Sequence, residues 1–142
     1  MNETEQGYRG PQVCKIVGIT YRQLDYWART DLVRPSVMDA AGSGTQRLYS
    51  FRDLLELKVI KQMLDAGIAL QSARKAVESL RGFNKDLASA RIVIDGSSVI
   101  LAETEEQFLD LMKDGQGVLS FVPLAPVVKS VSDAVQLTFE TA

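Results

Sequence analysis

Arg22, Asp25, Tyr26 and Arg29 recur at the spacing that gathers side chains on one face of a helix. Arginine forks match phosphate oxygens and guanine edges bidentately, so Arg22 and Arg29 beside Tyr26 suit contact with a nucleic acid. A solvated helix face explains the same charges, and composition alone does not separate the two readings. Arg47, near the end of a short strand-like run, is similarly ambiguous, because charged residues routinely guard strand edges. Other chemistry is poorly supplied. The chain has no histidine, which removes the commonest general base and zinc ligand. Cys14 is the single cysteine and falls on an apolar helical stripe, so packing is its expected role. Gly42-Ser43-Gly44 lacks the following lysine and preceding parallel strand of a phosphate cradle, and reads as a loop tip. Glu103, Glu105 and Glu106 are acids at a helix start, where the helix dipole favours them. No nucleophile–base pair or metal set emerges, so no enzyme activity, cofactor or metal is expected.

These residues sit in a chain of 142 residues, 46% apolar and 24% charged, which is globular composition. The net charge of -2 hides a split. Residues 1–82 carry 12 Lys/Arg against 9 Asp/Glu, whereas residues 83–142 carry 4 against 9. The expected organisation is therefore a flexible arm over 1–9, a first domain over 10–82 suited to an anionic partner, and a small acidic domain over 83–142. One cysteine, an acidic N-terminus and no apolar run near ~20 residues point to a cytoplasmic protein without a membrane segment.

The elements that must position the candidate residues can be read locally. Pro11 opens a helix with Val13, Ile16 and Val17 inward, and Gly18 ends it. Thr20 with Gln23 forms a capping box for a second helix. Leu24, Trp27 and Ala28 share its inner face, so Trp27 is core rather than a stacking platform. Pro35 prevents continuation. Val37-Met38 and Arg47-Leu48-Tyr49 flank a Gly-rich tip and read as a hairpin wing. Ser50 and Asp53 cap a third helix with Leu54, Leu57, Ile60 and Leu64 as its stripe. A fourth follows Gly67, with Leu70, Ala73, Val77 and Leu80. Beyond Gly82, Arg91–Asp95 and Ser97–Ala102 flank the turn signal Asp95-Gly96. A helix burying Phe108, Leu111 and Met112, a strand over Val118–Val122 and a helix from Pro126 complete a ββαβα order.

From about Gln12 to Leu80, a little over half the chain, the sequence resembles the DNA-binding domain of the MerR family of bacterial transcription regulators. The resemblance is carried by Val17-Gly18-Ile19-Thr20, Leu24-Asp25-Tyr26-Trp27, Leu32-Val33-Arg34-Pro35, Arg47-Leu48-Tyr49-Ser50-Phe51-Arg52-Asp53-Leu54 and Leu64-Asp65-Ala66-Gly67-Ile68-Ala69-Leu70. Trp27-Ala28-Arg29 is similar to the tryptophan-containing members, and the acidic tail to actinobacterial MerR-like regulators. The resemblance implies a winged helix-turn-helix of four helices plus a β-hairpin wing, which with the small ββαβα domain that follows makes an α+β fold. Typical relatives continue helix four with a long dimerising helix, and here Gly82 and the hairpin signal interrupt it.

By position, the resemblance places Thr20, Tyr21, Arg22 and Gln23 at the start of a recognition helix. It gives Tyr26 a backbone contact, adds Arg29 to the same face, and makes Arg47 and Tyr49 the wing's phosphate-contacting arginine and its aromatic partner. Three departures stand out. Asp25 replaces the usual arginine and would repel DNA unless it accepts from a cytosine amino group. Ala28 replaces a glutamate, and two residues rather than one separate Gly44 from Arg47. The implied function is sequence-specific regulation of transcription from a palindromic double-stranded DNA site. The regulator would act as a homodimer through residues 83–142, with RNA polymerase as a further partner, an effector of unknown identity and nucleoid association when bound. A winged-helix protein-interaction module without DNA binding is the alternative.

Overall fold

The computed structural model describes residues 7–38, 47–83, 86–95, 98–114 and 120–140. Strand β1 (Tyr8–Arg9) leads directly into helix α1 (Gly10–Val17), where Pro11 occupies the first turn. The Arg9 backbone N–H donates to Gln12 Oε1 at 3.0 Å, closing the helix start. Gly18 ends α1 at φ 84°, a left-handed conformation that residues with a Cβ avoid. Helix α2 (Tyr21–Arg29) begins at once, with Leu24, Trp27 and Ala28 buried as their spacing requires.

Two residues of the expected arm are not an arm. Tyr8 and Arg9 pair antiparallel with Tyr49 and Leu48 of β2 (Leu48–Tyr49). Gly7 permits this approach: a Cβ there would meet the Leu48 Cβ at 2.9 Å, and its φ is +74°. Residues 1–6 lie outside the described residues. On the other side of β2, Met38 bridges Leu48, with Leu48 N–H donating to Met38 O at 2.7 Å. That is the base of the expected wing hairpin; its tip, including Gly42-Ser43-Gly44, lies outside the described residues.

Helix α3 (Phe51–Asp65) starts from a complete capping box between Ser50 and Asp53. Asp53 also accepts from the Ser36 backbone N–H and hydroxyl, both at 2.8 Å, which fastens the start of α3 to the segment entering the wing base. Helix α4 (Leu70–Arg81) packs along α3. Its C-terminal carbonyls are held by Arg52, whose Nη2 donates to Leu80 O and to Phe83 O.

A 3₁₀ turn over Leu87–Ser89 leads to β3 (Arg91–Asp95), β4 (Ser98–Ala102), α5 (Glu105–Asp114), β5 (Ser120–Pro123) and α6 (Leu124–Glu140). The sheet is antiparallel in the order β4-β3-β5, with Asp95 opposite Ser98 and Ile92 opposite Val122. The turn residues between Asp95 and Ser98 lie outside the described residues. The α5 stripe is shallower than its periodicity implies. Phe108, Leu111 and Met112 are half-buried, Phe108 meeting Phe121 edge-on at 4.8 Å. Only a small sheet lies under the helix, so there is too little surface to cover them fully.

The change of composition near Gly82 is a change of architecture, not a break in the core. Helix α6 returns to pack on α1 and α3. Leu124, Val127 and Val131 join Val13, Leu57 and Ile92 in one buried cluster. A sheet of three strands offers too little apolar area to stand alone, and sharing the helical core supplies it.

Candidate nucleic-acid interface

The start of α2 is set by its cap. Thr20 Oγ1 accepts from the Gln23 N–H at 3.1 Å, and the Thr20 N–H donates to Gln23 Oε1 at 3.0 Å. Gln23 thus commits its amide oxygen to the cap and keeps its amide nitrogen as a donor. The cap orients a face that the core does not need. Tyr21 is 63% exposed and Tyr26 48%, with Thr20, Arg22, Gln23 and Arg29 exposed beside them. The Arg29 guanidinium lies 6.0 Å from the Tyr26 ring centroid, within reach of a cation–π attraction. Arg22, Gln23, Tyr26 and Arg29 line one shallow surface hollow floored by Trp27, Leu64 and Leu70.

The expected wing arginine joins this face by an unexpected route. Arg47 Nη1 donates to Asp25 Oδ1 at 2.7 Å, and Arg29 Nε donates to Asp25 Oδ2 at 2.9 Å. Asp25 is therefore not a bare negative charge on a cationic face. Its two oxygens clamp the wing base to α2. The Arg47 hydrogen bond, then that from Arg29, hold the Asp25 carboxyl below the usual carboxylate range. The same bond raises Arg47 above its ordinary value. Arg47 is only 19% exposed as a result.

Tyr49 does not join the face. It is 0% exposed and belongs to the main core cluster, so it is a packing residue in this structure and not a surface partner of Arg47. The reason is its position: β1 covers β2 on one side, and strand alternation turns Tyr49 inward. Of the eight expected residues, seven share the α2–wing-base surface or its edge.

Two residues beside this surface were not counted among its candidates. Asp25 had a signal, since an acid four positions before Arg29 is a helical ion pair, but its link to Arg47 spans 22 positions and has none. Arg9 is exposed at the start of α1, and the adjoining Gly10 lies against the Tyr21 ring. Its assignment to a mobile arm concealed it. Cys14 is half-buried, and burial pushes its thiol up. Among the described residues, no group of three potential metal ligands occurs, and no helix is long and apolar enough to cross a membrane.

The model of the MerR helix-turn-helix family of regulatory proteins matches residues 8–80 of this chain. Among curated proteins, helix-turn-helix-type transcriptional regulators of Mycobacterium bovis and Mycobacterium tuberculosis are each 56% identical over 113 residues. The match covers 79% of this chain and 50% of the relative, so the chain spans about half the length of the curated relatives it matches.

Proposed function

The chain belongs to the MerR family of helix-turn-helix regulators, and from that premise we propose that it binds double-stranded DNA sequence-specifically, as a homodimer on a palindromic promoter site, to regulate transcription. The observation that carries this reading is the exposed face of α2, where Arg22, Gln23, Tyr26 and Arg29 line a hollow with the wing base clamped alongside. A helix of this kind places base-reading donors in a major groove while flanking cations meet phosphates. Arg22 and the Gln23 amide nitrogen are the proposed base contacts. Thr20, Tyr21, Tyr26, Arg29 and Arg47 are proposed to engage the backbone. Two copies, spaced by a helical turn of about 34 Å, would double the contacts.

The proposed dimer contact lies in residues 83–142, where Ile100 of β4, Leu109 of α5 and Phe121 of β5 are exposed apolar side chains. RNA polymerase as a further partner, and residence in the cytoplasm on the nucleoid, follow from the proposed role.

Selection of bound fragments from genomic DNA with the purified protein tests the reading. The expected result is enrichment of one inverted repeat, with affinity falling steeply as salt rises. Failure to retain any duplex at low salt would overturn it and leave the rival reading, a winged-helix protein-interaction module.

A further inference from the structure

Asp25 engages more than the wing base. Its carboxylate takes one arginine on each oxygen, and the two arginines come from different elements: Arg29 from α2 and Arg47 from the wing base. A carboxylate presents paired, singly charged oxygens much as a phosphate diester does. The trio Arg29–Asp25–Arg47 therefore carries one net positive charge where the two arginines alone would carry two. A phosphate approaching either arginine meets one donor nitrogen already engaged and a nearby negative charge.

We propose that Asp25 is a specificity-determining residue: an internal stand-in for a DNA phosphate that holds Arg29 and Arg47 back from non-cognate duplex. The inference rests on the DNA-binding reading above. Binding driven by phosphates alone is available on every sequence, and it supplies nearly all non-specific affinity. Weakening that component lowers affinity for random duplex. At a cognate site, base contacts from Arg22 and the Gln23 amide support the docked pose and offset the exchange of Asp25 for phosphate. The ratio of cognate to random affinity rises as a result. The opposite account makes Asp25 a simple positioning residue that aims Arg47 productively, and removing it would then weaken binding to every duplex.

The two accounts differ in sign. Fluorescence anisotropy on a random-sequence duplex and on the selected site, from about 50 to about 200 mM salt, would compare the wild-type protein with Asp25→Asn. The Asp25→Asn protein is expected to bind random duplex about fivefold tighter, as loss of one nearby like charge implies. Its plot of log affinity against log salt should steepen by about 0.9, one additional phosphate neutralised. Cognate affinity should change less, so discrimination falls. Asp133→Asn removes an acid from the helical pair with Lys129 on α6, and controls for net charge alone. It should leave the slope unchanged. Asp25→Ser repeats the measurement if far-UV circular dichroism shows that the asparagine variant is misfolded. Random-duplex binding that is equal or weaker in the Asp25 variants sinks this inference and leaves DNA binding standing. No binding of any duplex by the wild-type protein sinks both.

Discussion

Arg81, in the last turn of α4, places its Nε 3.7 Å from Oε1 of Glu56 on α3. Its Nη2 donates to the Leu32 carbonyl at 2.6 Å, just beyond α2. One side chain thus ties α3 and α4 to the exit of the exposed helix. Glu56 is only 4% exposed. Burial pushes its carboxyl from 4.5 up to about 7, against the pull of Arg81.

That position makes stability pH-dependent in a defined direction. The folded protein holds the Glu56 proton more tightly than the unfolded chain does. Stability from this group is complete below about pH 4.5, is lost progressively as pH rises to about 7, and changes no further above it. The total is on the order of 3 kcal/mol. Glu56→Gln should flatten this window and raise the thermal midpoint at pH 8. Parallel melting curves for both proteins between pH 5 and about pH 8, differing by a constant, would show that Glu56 does not titrate there.

Arg22 is exposed and lines the hollow beside Tyr26. Under the base contact proposed for it, its replacement by alanine should cost about 1–3 kcal/mol of binding to the selected site and relax preference at one base pair. Competition with singly mutated sites measures this. Unchanged affinity and unchanged preference would remove Arg22 from the interface.

Tyr49 should behave as core. Tyr49→Ala is expected to lower stability by about 3–5 kcal/mol in urea unfolding. Tyr49→Phe keeps the ring and should cost no more than about 1.5 kcal/mol. The phenylalanine variant should also retain the wild-type salt dependence of DNA binding. A shallower salt slope for Tyr49→Phe would return the hydroxyl to phosphate contact.

Val131 on α6 is fully buried in the cluster that includes α1 and α3. Val131→Ala should destabilise the protein by about 1–3 kcal/mol. The single tryptophan, Trp27, lies in α2 and reports on the first half of the chain. Its fluorescence transition should move together with the far-UV transition. A Trp27 midpoint that stays in place would mean that the two halves unfold independently.

Several particulars separate what is local in this protein from what is not. The turn after α1, the caps at Thr20 and Ser50 and the helical stripes depend on residues three or four positions apart, or on one glycine. Such interactions are written in adjacent residues, and so the α+β order of elements and the outward face of α2 were legible without coordinates. The strand over Tyr8–Arg9 was not, because a two-residue strand has no periodicity and exists through its partner β2.

The sequence by itself therefore determined the helix-turn-helix, the order of the later elements and the cationic-aromatic character of α2. Tertiary structure alone decided that Tyr49 is interior, that Arg47 reaches Asp25, that Glu56 is buried and that α6 closes the core over α1 and α3. The physical reason is range. Backbone capping and side-chain periodicity act within a turn or two, whereas burial and ion pairing depend on which distant segment arrives to exclude water.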